Sequence, residues 1–325
     1  MHLDSARERK DPQVDPKPRI SVIIPTFNRA SMVCECVASV LASDFMDFEV
    51  IVVDDCSQDD TGDRIRARYG SDSRVRYFRN DVNKQLGGSR NVGARNASGD
   101  YLLFLDDDNL VDRDMLGRLV ADFESHPEVG LIAPMAVNVG GAKDGRIWTL
   151  GCDFNRWTSQ PNNHLENLPV SELPHNMERF PTLYSPNAFA VPRKVHEEVG
   201  GFCEALPFYF DESDYGWRIR ETGRPAWFLV TAITRHQNFL SETDCPALRD
   251  LGINAPWRAF RLGRNRLRFA RRHFSFLQIL SVALIFAPLS AAYYCVVALR
   301  NRRPDIAWAY LRGTLSGICG VWRRH

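Results

Sequence analysis

Residues 101–109 read YLLFLDDDN, five mostly apolar residues followed by three aspartates and an asparagine. The run Leu102–Leu105 has the composition of a buried strand. Three adjacent carboxylates at its end repel one another, and the repulsion grows in a cleft of reduced dielectric. Such a strand end calls for a positive partner that the segment does not supply. A divalent cation fits, because carboxylate oxygens suit Mg²⁺ or Mn²⁺, and Mg²⁺ is usually bound through one or two carboxylates plus substrate phosphates. An acidic cap on the helix opened by DRDML accounts for one aspartate, not three.

The segments on either side repeat the arrangement. ISVIIP (20–25) and FEVIVVDD (48–55) are β-branched apolar runs, the first stopped by proline and the second by two acids. Between and after them, SMVCECVASVLAS (31–43), DDTGDRIRARY (59–69), GGSRNVGARNAS (87–98) and DRDMLGRLVADFES (112–125) have helical spacing. VRYFRN (75–80) and VGLIAPMAV (129–137) read as further strands. Apolar strands alternating with helices predict an α/β fold, a doubly wound, mostly parallel sheet covered on both faces. Its ligand cleft lies at the carboxyl ends of the strands, where Pro25–Thr26, Asp54–Asp55 and Asp106–Asp108 all fall.

The chain has 325 residues, 44% hydrophobic and 25% charged, which suits one large α/β domain with an appendage and excludes a disordered protein. Its net charge of +1 hides an asymmetry, because Arg258–Arg272 contains seven arginines and no acid. That stretch points to an anionic neighbour. Eight scattered cysteines form no CxxC pair or zinc pattern and read as free thiols in a reducing compartment. The first eighteen residues lack an apolar core and read as a flexible lead-in, not a signal peptide.

PTFNRA, VVDDCSQDDT, the RN of GGSRNVGARNASGDY, and FLDDDN, in this order and spacing, resemble the inverting family 2 glycosyltransferases of GT-A fold. DESDYGWRIR (211–220) and His236 extend the likeness to about residue 240. The resemblance implies a metal-dependent transfer of a sugar from a UDP-, dTDP- or GDP-linked donor to an acceptor hydroxyl. It implies that Pro25 and Thr26 line the nucleotide pocket and that Asp55, supported by Asp54, accepts a hydrogen bond from a pyrimidine imide. Arg90 is placed near the diphosphate or the base. Asp106 and Asp108 form the metal-binding pair, with Asp108 the direct ligand and Asp106 facing ribose and metal. Asp107 stands where the family has a small residue, so a share in nucleotide-sugar binding stays open.

A departing nucleoside diphosphate needs charge stabilisation, and the incoming hydroxyl needs a base. Asp211, Glu212 and Asp214 are the candidates for that base. The family pattern aligns Glu212, with Asp211 the competitor and Asp214 the residue that orients the loop or Arg218. His236 is a candidate for metal or diphosphate, with a purely structural histidine as the alternative. Phe208, Tyr209, Phe210 and Trp217 either stack on sugar rings or pack the core.

Four regions follow: the lead-in 1–18, a nucleotide-sugar half 19–135, an acceptor and base half 136–256, and a basic, apolar region 257–325. Within the second half, residues 140–185 read as an irregular insertion bordering the substrate. In the last region, residues 274–299 carry no charge and are long enough for one membrane-spanning helix. Pro288 interrupts them and arginines flank both sides, which suggests a broken hairpin entering and leaving one leaflet, with a single span as the alternative. Trp308, Leu311, Leu315, Ile318 and Trp322 recur at helical spacing and suit an interfacial helix. This region also resembles membrane-associated family members that transfer rhamnose or similar sugars to lipid-linked acceptors.

The expected protein is thus membrane-associated and faces the cytoplasm. A polyprenyl-pyrophosphate-linked glycan serves as its acceptor, and nucleic acid is no partner. Two rivals differ in class: a catalytically silent nucleotide-sugar-binding scaffold, and a sugar nucleotidyltransferase. The second would carry a glycine- and lysine-containing phosphate loop near the first strand, which PTFNRA lacks.

Overall fold

The structure, a computed structural model, describes residues 17–237 and 245–321. Residues 1–16 of the expected lead-in, and Trp322 of the tail, lie outside the described residues.

Twelve strands are present among them: β1 (Ile20–Thr26), β2 (Phe48–Asp54), β3 (Val75–Arg79), β4 (Tyr101–Leu105), β5 (Asn109–Val111), β6 (Leu131–Val139), β7 (Ile147–Thr149), β8 (Cys152–Asn155), β9 (Gln160–Asn163), β10 (Arg179–Pro181), β11 (Ala188–Pro192) and β12 (Ala226–Gln237). The helices are α1 (Ala30–Leu41), α2 (Thr61–Tyr69), α3 (Gln85–Asn96), α4 (Met115–Ser125), α5 (Arg193–Val199), α6 (Asp211–Glu221), α7 (Pro246–Asp250), α8 (Pro256–His273), α9 (Phe276–Ser281), α10 (Ala287–Arg300) and α11 (Pro304–Val321).

The main sheet has the order β10-β12-β6-β11-β4-β1-β2-β3, with β5 on β12 and β7 on β6. β3, β2, β1 and β4 run parallel, as do β6 and β12, while β11 lies antiparallel between β4 and β6. Side chains alternate between two covers. Val22, Ile24, Val50, Val52, Leu103 and Leu105 pack on the α1, α2 and α4 side. Ile23, Ile51, Val53, Leu102 and Phe104 pack on the side of α3, α5 and α6. The sheet is therefore doubly wound, and its register sets Thr26 beside Asp54 at one edge. β6 crosses the boundary expected at residue 135, so the two halves share one sheet.

One expectation for the carboxyl region changes. Phe276–Arg300 forms one continuous helix, so Pro288 does not break it into a hairpin. A proline lacks the N–H and presses on the carbonyl one turn back. The turn before it, Val282–Phe286, is a wider π-helical turn that absorbs this mismatch. The chain reverses at residues 301–303, and α11 returns against α8 and α10. There the buried face of α11 carries Ile306, Ala307, Tyr310, Gly313, Thr314 and Gly317. A side-chain carbon on Gly313 would run into the Phe260 carbonyl, so glycine permits the close approach to α8. The apolar stripe read as an interfacial face divides: Trp308 and Leu315 are exposed, as such a face requires, while Leu311 and Ile318 line an apolar groove of about 320 Å³ with Pro288, Ala291 and Cys295.

Candidate active site

The site is assembled where β1, β2 and β4 end. Thr26, the last residue of β1, donates its hydroxyl to Asp107 Oδ2 at 2.7 Å. Asp54, the last residue of β2, is fully buried and accepts from the Ser57 amide at 2.7 Å and the Tyr77 hydroxyl at 2.6 Å. Asp55 accepts from Asn80 Nδ2 at 2.9 Å and from the amides of Lys84 and Gln85 at 2.7 and 2.8 Å. Its carboxylate thus fastens the start of α3, and any bond to a nucleobase adds to these three. Pro25 pairs with Val53 in the sheet just below.

The three aspartates after β4 diverge. Asp106 Oδ1 takes a guanidinium nitrogen of Arg90 at 2.7 Å. Asp107 turns back under β1 to Thr26 and to Arg29 Nη1, 2.8 Å away. Asp108 lies between Arg29 Nη1 at 3.3 Å and His236 Nδ1 at 3.5 Å. Burial, together with the charge of Asp108, pushes Asp106 up to about 7 and Asp107 to about 6, against the pull of Arg90 and Arg29. Burial also opposes charge on Asp108, yet His236 and Arg29 hold it below the usual carboxylate range.

β5 explains how His236 arrives. The three-residue strand after DDDN pairs antiparallel with the end of β12 and sets His236 opposite Asn109. The Gln237 amide donates to the Asp108 carbonyl at 2.9 Å. Trp148, from the irregular insertion, packs its ring 4.5 Å from the imidazole, so the insertion does reach the site. His236 Nδ1 is buried and makes no well-formed hydrogen bond to any described group. An unsatisfied ring nitrogen facing a carboxylate suits a shared cation. Among the described residues no three His, Cys, Asp or Glu side chains converge as a ready cage. The residues therefore fit a cation held by Asp108 and His236 whose remaining positions are taken by other ligands, as Mg²⁺ prefers.

Arg90, on α3, is fully buried and joins the two halves. Besides Asp106, it holds Glu212 Oε1 at 2.8 Å and reaches Asp211 Oδ2 at 3.5 Å. Burial opposes the charge on Glu212, but Arg90 and a hydrogen bond from Asp211 keep it below the ordinary range. Burial and the neighbouring Glu212 charge push Asp211 well up. Burial and coupling thus push the pair apart: fully buried Asp211 toward its neutral form, and Glu212, which retains some solvent contact, toward its ionised form. The loop delivering them holds Tyr209 and Phe210 in the left-handed region, at φ 60° and 66°. Such backbone persists only where surroundings impose it. Here Asn265 of α8 donates to the Phe208 carbonyl at 2.7 Å, and the Tyr209 hydroxyl donates to the Gly252 carbonyl.

Asp214 is not brought to this group. It is fully buried and accepts from Arg218, Arg272 and His273 at 2.9, 2.7 and 2.9 Å, tying α6 to the end of α8. Trp217 and Phe210 pack on Phe269 in the core and leave no face for a sugar. Two residues at the site escaped the sequence reading. Arg29 lies inside PTFNRA, and its charge among acids was the available signal. Asn187, whose amide donates to Asn109 Oδ1 at 2.6 Å and whose carbonyl accepts from the Asp106 amide at 3.0 Å, gave none, since its place depends on β11 entering the sheet.

This fold, with acids at the carboxyl edge and a carboxylate pair at the start of α6, is that of GT-A transferases. GalNAc-T7, solved with UDP, GalNAc and Mn²⁺, has the same fold at a TM-score of 0.60 and 17% identity, covering 86% of this chain and 58% of that one. A mannosyltransferase from Pyrobaculum calidifontis, solved with GDP-Man and Mn²⁺, aligns at a TM-score of 0.55 and 18% identity, over 93% of this chain and 87% of that one. The model of glycosyl transferase family 2 matches residues 21–200, and the chain belongs to that family. Among curated relatives, the GalNAc(5)-diNAcBac-PP-undecaprenol beta-1,3-glucosyltransferase of Campylobacter jejuni is 43% identical over 93 residues, 28% of this chain. The match spans only 30% of that relative's length.

Proposed function

We propose that the protein is a glycosyltransferase moving one sugar from a UDP-, dTDP- or GDP-linked donor to a hydroxyl of a glycan acceptor carried on a lipid pyrophosphate, with inversion. The observation that carries this reading is the single guanidinium of Arg90, bound to Asp106 at 2.7 Å and to Glu212 at 2.8 Å. It sets the carboxyl edge that would meet the donor beside a carboxylate able to take a proton from an acceptor.

In this mechanism Glu212 is the base, because its surroundings favour the carboxylate and it still reaches solvent, whereas burial favours the neutral form of the sealed Asp211. Asp211, beside Glu212 and within 3.5 Å of the same Arg90, would help to aim it. The attacking hydroxyl loses its proton to Glu212 as the new bond to the sugar forms and the bond to the diphosphate breaks on the opposite side. Asp108 and His236 would hold Mg²⁺ or Mn²⁺, which supplies positive charge for the departing diphosphate when bound. Thr26 and Arg29 keep Asp107 turned away from that position and give it a supporting role. Asp54 and Asp55 shape the nucleotide pocket by anchoring the loops after β2 and before α3.

We place the enzyme at a membrane, with its catalytic domain cytoplasmic. The most apolar stretch of helix Phe276–Arg300 has a mean hydropathy of 2.1, and 39% of it is buried within the protein. Phe276, Leu277, Leu284, Ile285 and Leu289 are exposed along it, a face too apolar for water. Nucleoside diphosphate release by protein extracted from membranes, offered each donor with and without Mn²⁺ and a polyprenyl-pyrophosphate-linked sugar, tests the reading. Acceptor-stimulated, metal-dependent release from one donor is expected. Donor binding with no release for any acceptor would favour the silent scaffold.

A further inference from the structure

The seven arginines of α8 separate into two groups. Arg266 is buried against Ser290 Oγ at 3.0 Å, Arg271 donates to the Gly320 carbonyl, and Arg272 pairs with Asp214. Arg258, Arg261, Arg264 and Arg268 recur at steps of three, three and four residues, which puts them on one side of the helix. None of these four pairs with a carboxylate among the described residues. Arg258 and Arg261 stack on Trp257, 5.0 and 4.9 Å from the ring. Arg264 donates to Asn265 of its own helix at 3.0 Å, and Arg268 donates to the Ala205 carbonyl at 3.0 Å.

This strip sits beside the cleft. Arg261 Nη1 donates to Gln85 Oε1 at 2.7 Å, and the Gln85 amide is one of those bound by Asp55. Arg258 lies 5.0 Å above the ring of Phe208, and Arg268 holds Ala205, both on the loop that delivers Asp211 and Glu212. At its far end α8 leads within three residues into the exposed apolar helix. We propose that Arg258, Arg261, Arg264 and Arg268 bind the phosphate groups of a lipid-linked acceptor, holding the acceptor's sugar toward Glu212. The inference rests on the transferase reading for that last step only.

Three observations favour this ligand over its alternatives. Four cations that pair with no carboxylate among the described residues form a strip that an anion would complete. Burial first, and then the neighbouring charges of Arg268 and Arg261, bring the Arg264 guanidinium down to about 10, so an anion beside it would relieve part of that cost. Arg261 and Arg264 are also half-buried, whereas Arg300 and Arg302 beyond the apolar helix are exposed and meet a headgroup layer more readily.

The test uses the full chain in detergent and in vesicles, comparing wild type with Arg261→Gln/Arg264→Gln and with Arg261→Lys/Arg264→Lys. Three probes separate the sources of phosphate: farnesyl pyrophosphate for the acceptor, UDP and GDP for the donor, and vesicles of phosphatidylglycerol with phosphatidylcholine for the bilayer. Removing two charge-assisted contacts is expected to weaken farnesyl pyrophosphate binding about tenfold or more, with nucleotide and vesicle binding within about twofold. The lysine variant should recover part of the loss. Unchanged farnesyl pyrophosphate binding in a folded glutamine variant would overturn the proposal, as would a loss confined to vesicles or shared equally by the nucleotides. Because binding is read without turnover, a strip that binds but an enzyme that never transfers would sink the transferase reading and leave the site standing.

Discussion

Arg90 and Glu212, 122 residues apart, are bound at 2.8 Å inside the cleft, and Arg90 has no solvent exposure at all. The same guanidinium neutralises Asp106. Removing it leaves buried carboxylates without compensation, which typically costs about 3–5 kcal/mol. Arg90→Ala should therefore lower unfolding stability by several kcal/mol in denaturant titration. A loss below about 1 kcal/mol would mean that the pairing does not hold the halves together.

Asp211→Asn should behave differently. Burial keeps Asp211 neutral, so an amide of the same shape replaces it with little loss of charge interaction. Stability within about 1 kcal/mol of wild type is expected. Asp214→Asn should be the costly change on this helix, since Arg218, Arg272 and His273 all donate to that carboxylate. Thermal unfolding of the two variants side by side checks the contrast; a reversed order would show that the two acids have been assigned the wrong charge states.

How far the sequence foretold this arrangement depends on the range of the interactions. The strands β1, β2 and β4 and the acids ending them were legible because burial on both faces of a parallel sheet demands unbroken apolar runs. The start of α6 was equally plain from its acids. Arg29 was quoted in a motif but not assigned, because a long side chain's reach to Asp107 is set by how α1 docks. His236 could be placed beside Asp108 only through β5, three residues too short to show a strand pattern. The π-helical turn before Pro288 left no sequence mark beyond the proline itself. In α11 the apolar stripe was legible, but the inward face was not: Ile306, Ala307, Tyr310, Gly313, Thr314 and Gly317 pack inward because α8 approaches closely.

His196 gives a pH signature. It is packed among aromatic rings with Nδ1 2.8 Å from the Tyr215 hydroxyl. Burial, with Arg193, Arg218 and Arg95 nearby, brings it down to about 4. An unfolded histidine titrates near 6.5, so between about 6.5 and 4 the unfolded chain binds the extra proton. This contribution is complete above about pH 6.5 and is lost as the pH falls toward 4, amounting to at most about 3 kcal/mol. Asp106 and Asp107, raised to about 7 and about 6 by burial, act in the opposite sense over much the same pH range. The test is accordingly the difference between wild type and His196→Gln, which should shrink as the pH drops. A difference that stays constant with pH would exclude the shifted histidine.

The outward face of the apolar helix should matter to location and not to folding. Leu284 and Leu289 are 61% and 64% exposed, so Leu284→Asp/Leu289→Asp removes little packing and should change stability by less than about 1 kcal/mol. Flotation with liposomes should nevertheless be lost. Continued flotation of the double variant would remove this face as the membrane contact.

The central claim is that Glu212 takes the acceptor's proton while the rest of the cleft holds the donor. Its most direct test is nucleoside diphosphate release by Glu212→Gln beside wild type, with donor affinity measured on both. Loss of a positioned base should cut turnover by about 10²-fold or more while donor affinity stays within about twofold. Turnover close to wild type in Glu212→Gln would contradict the account and leave the carboxylate beside Arg90 a structural ion pair.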